Sequence, residues 1–495
     1  MLTNAAPAAF ARAAVATAAA AALLYGLGGS TIPAQADTAV APESGAVTVV
    51  GAGWGHGKGM SQWGAYGAAS KGLSYAEIID FYYPGTTLKT ATNQTMRIWI
   101  TADNNNKVYF RPDSGLIVKD SAGKKVTLPT GSKYTKWRIN RVGSKRVLAY
   151  RSTSGKYVRY SNSLNPGRVW YVKNTKTNKV RLVIPGGTTK TYRGRIAAKF
   201  SGSGMRTVNH VPMESYLRSV VPAEMPASWK ADAVRAQAVA ARTYAAWMKA
   251  NTSYSGYDLC DTSACQVYKG VEYEHPSSDA AIEASANKMA MYKGAPALTM
   301  FSSSNGGWSA SGGSGYPYLK AQKDPYDGVK RDQSWSVTLS STKIQNAYSS
   351  IGKLEAVQVT ERDGDGTYGG RVETIKIKGS KGSVTVSGGT FKSKFGLKER
   401  LFKIVGGSVS TASSTATTTA TETTTATATA TADDASTGEL TGAVLKAYNA
   451  LSAKDADTLG DPKTGVVKTS TGTYADFDLG RITCPAGKDC IVSFG

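Results

Sequence analysis

Histidine is nearly absent from these 495 residues: there are three, His56, His210 and His275. None stands at ligand spacing to a cysteine or to another histidine, so a histidine-rich metal centre is excluded as the basis of the chemistry. Cysteine is almost as scarce, four residues in two close pairs, Cys260 with Cys265 and Cys484 with Cys490. Acidic side chains are also in short supply, 35 against 59 Lys and Arg, which leaves a formal charge of +24. No long apolar run follows the first 27 residues, so nothing later in the chain reads as a membrane span.

The N-terminus carries Arg12, an alanine-leucine stretch from Ala13 to Leu27, and Ala34-Gln35-Ala36 before Asp37. This pattern predicts a signal peptide over 1–36, because its apolar core is shorter than the roughly 20 residues a span requires. The expectation is a secreted, soluble mature protein. In an oxidising compartment an even cysteine count favours the disulfides Cys260–Cys265 and Cys484–Cys490; zinc at the first pair is the rival reading. Export also changes the meaning of the charge. A cytoplasmic chain at +24 suggests nucleic acid; an exported one meets anionic wall polymers instead, and no nucleic-acid partner is expected.

What the chain has in abundance is glycine, and its densest use is Gly51-Ala52-Gly53-Trp54-Gly55-His56-Gly57-Lys58-Gly59-Met60-Ser61-Gln62-Trp63-Gly64. Alternating glycines permit strained dihedrals and close approach to the backbone. The run reads as a loop that grips another molecule while presenting His56, Ser61 and Gln62.

A second set of motifs lies at Val208-Asn209-His210-Val211-Pro212-Met213-Glu214-Ser215-Tyr216-Leu217, at Pro222-Ala223-Glu224-Met225-Pro226, and at Arg235-Ala236-Gln237 through Arg242-Thr243-Tyr244. With Cys260-Asp261-Thr262, Cys265-Gln266-Val267-Tyr268, Ser304-Asn305-Gly306-Gly307 and Pro317-Tyr318-Leu319, these resemble the stage II sporulation protein D (SpoIID) family of peptidoglycan lytic transglycosylases, over roughly residues 48–405. In familiar members the glycine-histidine loop follows the Glu-Met-Pro segment. Here it precedes it, as though the domain were circularly permuted, an order that neighbouring termini permit.

The resemblance implies cleavage between MurNAc and GlcNAc with 1,6-anhydro-MurNAc products, in which the 6-hydroxyl of the sugar attacks its own anomeric carbon. One carboxyl then serves as acid and base, where ordinary glycosidases use two. Glu224 matches the acidic position of the motif and is the expected catalytic residue, with Val220, Val221, Met225 and Trp229 as its expected apolar surroundings. The resemblance makes His56, Ser61, Gln62, Gln266, Tyr268 and Asn305 candidate substrate contacts, and Glu214 and Arg242 supporting residues. No cofactor or metal is expected. The implied partner is peptidoglycan glycan strands and the implied location is the cell wall; the alternative reading is a noncatalytic cell-wall-binding protein or an amidase enhancer, with a cell-wall amidase as partner.

Periodicity divides the chain. Residues 37–47 read as a disordered lead-in, and 74–83 as a short helix. From 94 to 206, short alternating runs such as Arg168-Val169-Trp170-Tyr171-Val172, separated by Gly, Asn and Ser, read as an inserted β-rich module. Residues 227–249 form the clearest helix, Ala-rich and with apolar positions at the 3.6-residue period. Residues 302–316 read as a loop near the site, and 354–392 as a closing β-meander. Residues 408–437, almost wholly Thr, Ala and Ser, cannot bury a core and read as a linker. The remainder, 438–495, reads as a small C-terminal module that loosely resembles an LGFP-type wall-associated repeat. The expected fold is α+β: a β-rich catalytic domain over 48–407 with an Ala-rich helix beside an elongated cleft.

Overall fold

Helices form where the sequence supplies both a cap and an apolar stripe. Ser61 starts α1 (Gln62–Ser70) by accepting the Gly64 N–H on its hydroxyl. Ser74 and Glu77 close a capping box at the head of α2 (Tyr75–Tyr82), whose Ile78, Ile79 and Tyr82 are buried. Helix α3 (Met213–Glu224) ends at Glu224, just beyond Pro222. Helix α4 (Ala231–Asn251) is the Ala-rich element, and its small side chains let it sit fully inside the core, with Ala236, Val239 and Ala240 at zero exposure.

The computed structural model describes residues 36–252, 254 and 256–406, together with 444, 447, 467–469, 472–477, 480–485 and 490–494. The expected signal peptide, apart from its last residue, and the linker expected at 408–437 lie outside the described residues. The architecture is α+β and rich in strand. Among the described residues no helix is long and apolar enough to cross a membrane.

The region 94–206 folds as two sheets. One has seven strands, in the order Leu259–Cys260, Thr95–Trp99, Gly204–Pro212, Arg195–Ser201, Trp170–Asn174, Leu116–Asp120, Lys125–Thr127. The other has six, in the order Tyr157–Arg159, Lys145–Arg151, Lys136–Val142, Lys107–Phe110, Lys179–Val183, Thr189–Arg193. Alternation along each strand turns Phe110, Trp137, Trp170 and Tyr192 into one core, continuous with the helices. The seven-stranded sheet leads straight into α3, so the β module and the Glu-Met-Pro segment are rigidly joined.

A second core is built from both ends of the region 46–406. Strand Ala46–Ala52 lies between Ser334–Ser340 and Phe402–Gly406, antiparallel to both. The expected meander is present as Leu354–Arg362, Val372–Gly379 and Gly382–Ser387, but it ends in a helix, Gly388–Phe395, started by the Ser387 hydroxyl. Val47, Val49, Phe391 and Phe402 fill this core. The lead-in expected to be disordered over 37–47 is instead held in place. Val40 pairs with Val357, Asp37 forms an ion pair with the buried Arg362, and Ala46 and Val47 begin the strand. A polar, proline-containing stretch gave no sign of this, because its partners lie about 320 residues away in sequence.

At the C-terminus, Val467–Thr469, Gly472–Phe477, Gly480–Pro485 and Ile491–Phe494 form a four-stranded antiparallel sheet, closed by the Cys484–Cys490 disulfide.

Candidate functional site

The two cores bring the glycine run back against the Glu-Met-Pro segment. Met60 and Ser61 pair in parallel with Phe301 and Ser302, and the Trp63 N–H donates to the Ser303 carbonyl. Between them opens a cavity of about 460 Å³, walled by Trp54, His56, Gln62 and Trp63 on one side and by Glu224, Met225, Trp229 and Tyr244 on the other. Ser263, Ala264, Cys265, Val267 and residues 300–303 complete the wall. Among the described residues, Glu224 is the only Asp or Glu that lines it.

Glu224 is positioned from three sides. It is the last residue of α3, its Oε1 accepts the Val267 N–H at 2.8 Å, and its backbone carbonyl accepts the Gln62 carboxamide at 2.8 Å. The Val267 contact depends on how the loop after Cys260 is folded. Cys260 and Cys265 are joined as a disulfide. Ser219 on α3 accepts the N–H groups of both Lys269 and Gly270 on its hydroxyl. Among the described residues no group of three or more His, Cys, Asp or Glu could hold a metal ion.

His56 reaches the same cavity as Glu224. Its Nδ1 accepts the Lys58 N–H at 3.0 Å. Burial, reinforced by the charges of Lys58, Lys392 and Arg371, lowers its pKa to about 4, against which a hydrogen bond to the Phe301 backbone pulls upward. The imidazole is therefore neutral near pH 7, with Nδ1 committed as an acceptor. It is placed to shape the cavity wall rather than to donate a proton from an imidazolium.

The glycines also have a task within the fold. Gly57 has φ +67°, and a Cβ there would run into the Arg371 guanidinium; one at Gly55 would meet the Ser302 Cβ at 2.5 Å. The bare backbone is needed to pack against the protein's own 302–307 loop and Arg371, while Gly55 also lines the cavity. Arg371 is fully buried, forms an ion pair with the buried Glu399 at 3.1 Å, and donates to the carbonyls of Asn305 and Trp308.

Four of the expected substrate contacts are absent from the cavity wall. Ser61 is buried as the N-cap of α1. Gln266 is buried between the Tyr216 hydroxyl, which it accepts from, and the Ala241 carbonyl, to which it donates. The buried Tyr268 hydroxyl donates to Asn209 Oδ1 at 2.7 Å, and the buried Asn305 carboxamide donates to Asp324 at 2.7 Å. Each is a polar group spent on folding the walls. Val220 and Val221 likewise lie in the core, while Met225 and Trp229 do line the cavity. Glu214 and Arg242 form a bidentate pair, 2.7 Å at both contacts, that ties α3 to α4 away from the cavity.

Sequence reasoning missed Arg371, Glu399 and the acidic pair Asp324 and Asp327. Asp327 Oδ2 accepts the Ser304 hydroxyl and the N–H groups of Asn305 and Gly306, while burial raises its pKa to about 6. Asp324-Pro325-Tyr326-Asp327, two acids around a turn, was the available signal.

Parts of the chain are similar to known proteins. The Stage II sporulation protein family, SpoIID, matches residues 201–292, which span α3, α4 and the disulfide loop but not the glycine run. The Stage II sporulation protein D of Bacillus subtilis (strain 168) is 29% identical over 217 residues, 40% of this chain and 62% of that protein. That of Bacillus amyloliquefaciens is 30% identical over 223 residues, with the same shares. The Amidase enhancer of Bacillus subtilis (strain 168) is 37% identical over 132 residues, 26% of this chain but 17% of that protein. Over residues 201–292 the chain is similar to the SpoIID family, and over about 40% of its length to proteins named Stage II sporulation protein D. It spans less than two thirds of the length of each of these relatives.

Proposed function

We propose that this protein is an exported, wall-associated lytic transglycosylase that cleaves peptidoglycan glycan strands between MurNAc and GlcNAc and leaves 1,6-anhydro-MurNAc ends. The observation that carries the reading is the single carboxylate in a cavity whose wall includes Trp54, Trp63, Trp229 and Tyr244 together with apolar side chains such as Met225, Val267 and Met300. Most inverting and retaining glycosidases use two carboxyl groups flanking the bond. Intramolecular attack by the 6-hydroxyl requires one, because the nucleophile belongs to the substrate.

In this mechanism the Glu224 carboxyl protonates the departing glycosidic oxygen, and the resulting carboxylate accepts the proton of the 6-hydroxyl as its oxygen bonds to the anomeric carbon. Atoms balance without water. The Val267 N–H and the fixed end of α3 hold Glu224 in place, and the flat indoles offer faces against which pyranose rings can pack.

The name of the Amidase enhancer relative supports a second reading, in which the cavity binds glycan without cutting it and the protein acts through a separate wall amidase. Digestion of purified peptidoglycan, intact and stripped of stem peptides, separates the two. Anhydro ends, lighter by one water than hydrolysed ends, are expected by mass spectrometry with the wild type and not with Glu224→Gln. Full activity of a folded Glu224→Gln variant would overturn the proposed role of Glu224; glycan binding with no cleavage by the wild type would favour the amidase reading.

A further inference from the structure

The chain's positive charge is concentrated in one place. Residues 94–206 contain 25 Lys and Arg against three acids, Asp103, Asp113 and Asp120, so this module alone carries +22 of the chain's formal +24. The six strands Lys107–Phe110, Lys136–Val142, Lys145–Arg151, Tyr157–Arg159, Lys179–Val183 and Thr189–Arg193 contain no acid at all.

Register sorts these cations by face. Trp137, Ile139, Val108, Phe110 and Leu148 point into the core. On the opposite face Lys136 stands across from Arg151, and Tyr109 across from Arg138, with Tyr157 beside Arg151. Among the described residues, Arg111, Lys136, Arg138 and Arg151 form no salt bridge, and Arg138 Nε has no hydrogen-bond partner. The like charges are close enough to be felt: partial burial, then the charges of Arg111 and Arg151, lower the Lys136 pKa. Folding has gathered cations on one side of a sheet with no protein counter-charge, an arrangement that favours an external anion.

We propose that this outer sheet face is a docking surface for a linear polyphosphodiester of the envelope, of the poly(glycerol phosphate) type. The commitment to a wall polymer rests on the reading of the protein as an exported wall enzyme. Two features favour it over nucleic acid. The rings of Tyr109 and Tyr157 each carry a cation over one face, Lys136 at 5.5 Å and Arg138 at 4.0 Å from the centroid, so that face is closed to stacked bases. Cations at alternate positions along a strand, such as Lys136 and Arg138, are about 7 Å apart, a distance that one three-carbon unit between phosphates can bridge. The surface would hold the protein on the wall while the cavity works on the glycan.

The test is binding of the full chain to purified poly(glycerol phosphate), which has no glycosidic bond in its backbone, so the result is independent of cleavage. Lys136→Gln with Arg151→Gln is compared with Lys353→Gln and Lys381→Gln, an exposed pair outside the module that removes the same charge. We expect the face pair to weaken binding about tenfold or more and to flatten the slope of log affinity against log salt by about two, while the control pair changes affinity by less than about twofold. Unchanged melting temperatures establish that both variants fold. Equal losses in the two pairs would mean that only net charge matters and would overturn the proposal. Tighter binding of duplex DNA than of poly(glycerol phosphate) at matched charge concentration would also overturn it. If wall polymer binds but peptidoglycan is not cut, the catalytic reading fails and the docking surface stands.

Discussion

Gln62 and Glu224 lie 162 positions apart in sequence, yet the Gln62 carboxamide donates a 2.8 Å hydrogen bond to the Glu224 backbone carbonyl. The contact joins the first residue of α1, reached through the glycine run, to the last residue of α3. It is one of the direct contacts between the glycine run and the Glu-Met-Pro segment, beside the packing of Trp63 and Tyr66 on Trp229. Gln62 also lines the cavity and approaches Gln237 Oε1 at 3.3 Å. Gln62→Ala is expected to cost about 1–3 kcal/mol of stability, since it leaves buried acceptors unpaired. It should also lower anhydro-product formation at least about tenfold, because a small displacement of a catalytic group is expensive. Chemical denaturation and product quantification check the two effects separately; unchanged activity would remove Gln62 from the positioning of Glu224.

The disulfide bears on the same carboxylate from the other side. Cys260–Cys265 closes the loop whose Val267 N–H holds Glu224 Oε1. In the chain-entropy description so short a loop contributes about 2 kcal/mol. Cys260→Ser with Cys265→Ser should therefore lower the melting temperature modestly and reduce glycan cleavage by more than that loss of folded protein accounts for. Reducing agent added to the wild type should reproduce the activity loss.

How much of this was legible in the sequence follows from what each motif residue does. Glu224, His56 and Gln62 were expected at one site, and they share one cavity. Ser61, Gln266, Tyr268 and Asn305 sit in equally strong motifs but cap a helix or bridge buried carbonyls and side chains. A motif marks polar residues that must be kept, and a buried hydrogen bond is as strict a reason as a ligand. The β-rich module was readable because strand alternation is local. The second core was not, because Ala46–Ala52 finds its partners at 334–340 and 402–406, and no short-range pattern encodes that pairing.

Glu214 and Arg242 illustrate the distinction between support and catalysis. The Arg242 side chain has zero exposure and that of Glu214 23%; their bidentate contact fixes α3 against α4. Removing one partner leaves a buried charge uncompensated, so Glu214→Gln and Arg242→Met should each destabilise by about 3–5 kcal/mol. The double variant should lose less than the sum, and a double-mutant cycle by urea denaturation measures the difference. Additive losses would mean that the two residues act independently.

Glycines 57 and 307 form a matched pair. Both have positive φ, +67° and +87°, but an added Cβ at Gly57 meets the Arg371 guanidinium, whereas nothing lies within 4 Å at Gly307. Gly307→Ala should cost only the backbone term, about 1–2 kcal/mol. Gly57→Ala should cost more, because Arg371 also holds Glu399 and the carbonyls of Asn305 and Trp308. Equal melting temperatures for the two variants would contradict the packing role assigned to the glycine run.

His56 gives the pH dependence its sign. Its folded pKa, about 4, lies below the ordinary value of 6.5. Between those values the unfolded chain binds the proton more readily, so stability contributed by the neutral imidazole is present above about pH 6.5 and is lost as pH falls toward 4. Protonation would also cancel the acceptor that Nδ1 offers to the Lys58 N–H and add a charge beside Lys58, Lys392 and Arg371. His56→Gln should therefore flatten the acid-side fall in stability over that window, measured as melting temperature against pH. Because the imidazole is already neutral from about pH 5 upward, the same variant should lower the height of the pH–activity profile without moving its limbs between pH 5.5 and about 8. A shifted limb in that range would identify His56 as a titrating participant in the proton transfer, and the role of Glu224 as both acid and base would then have to be divided between the two residues.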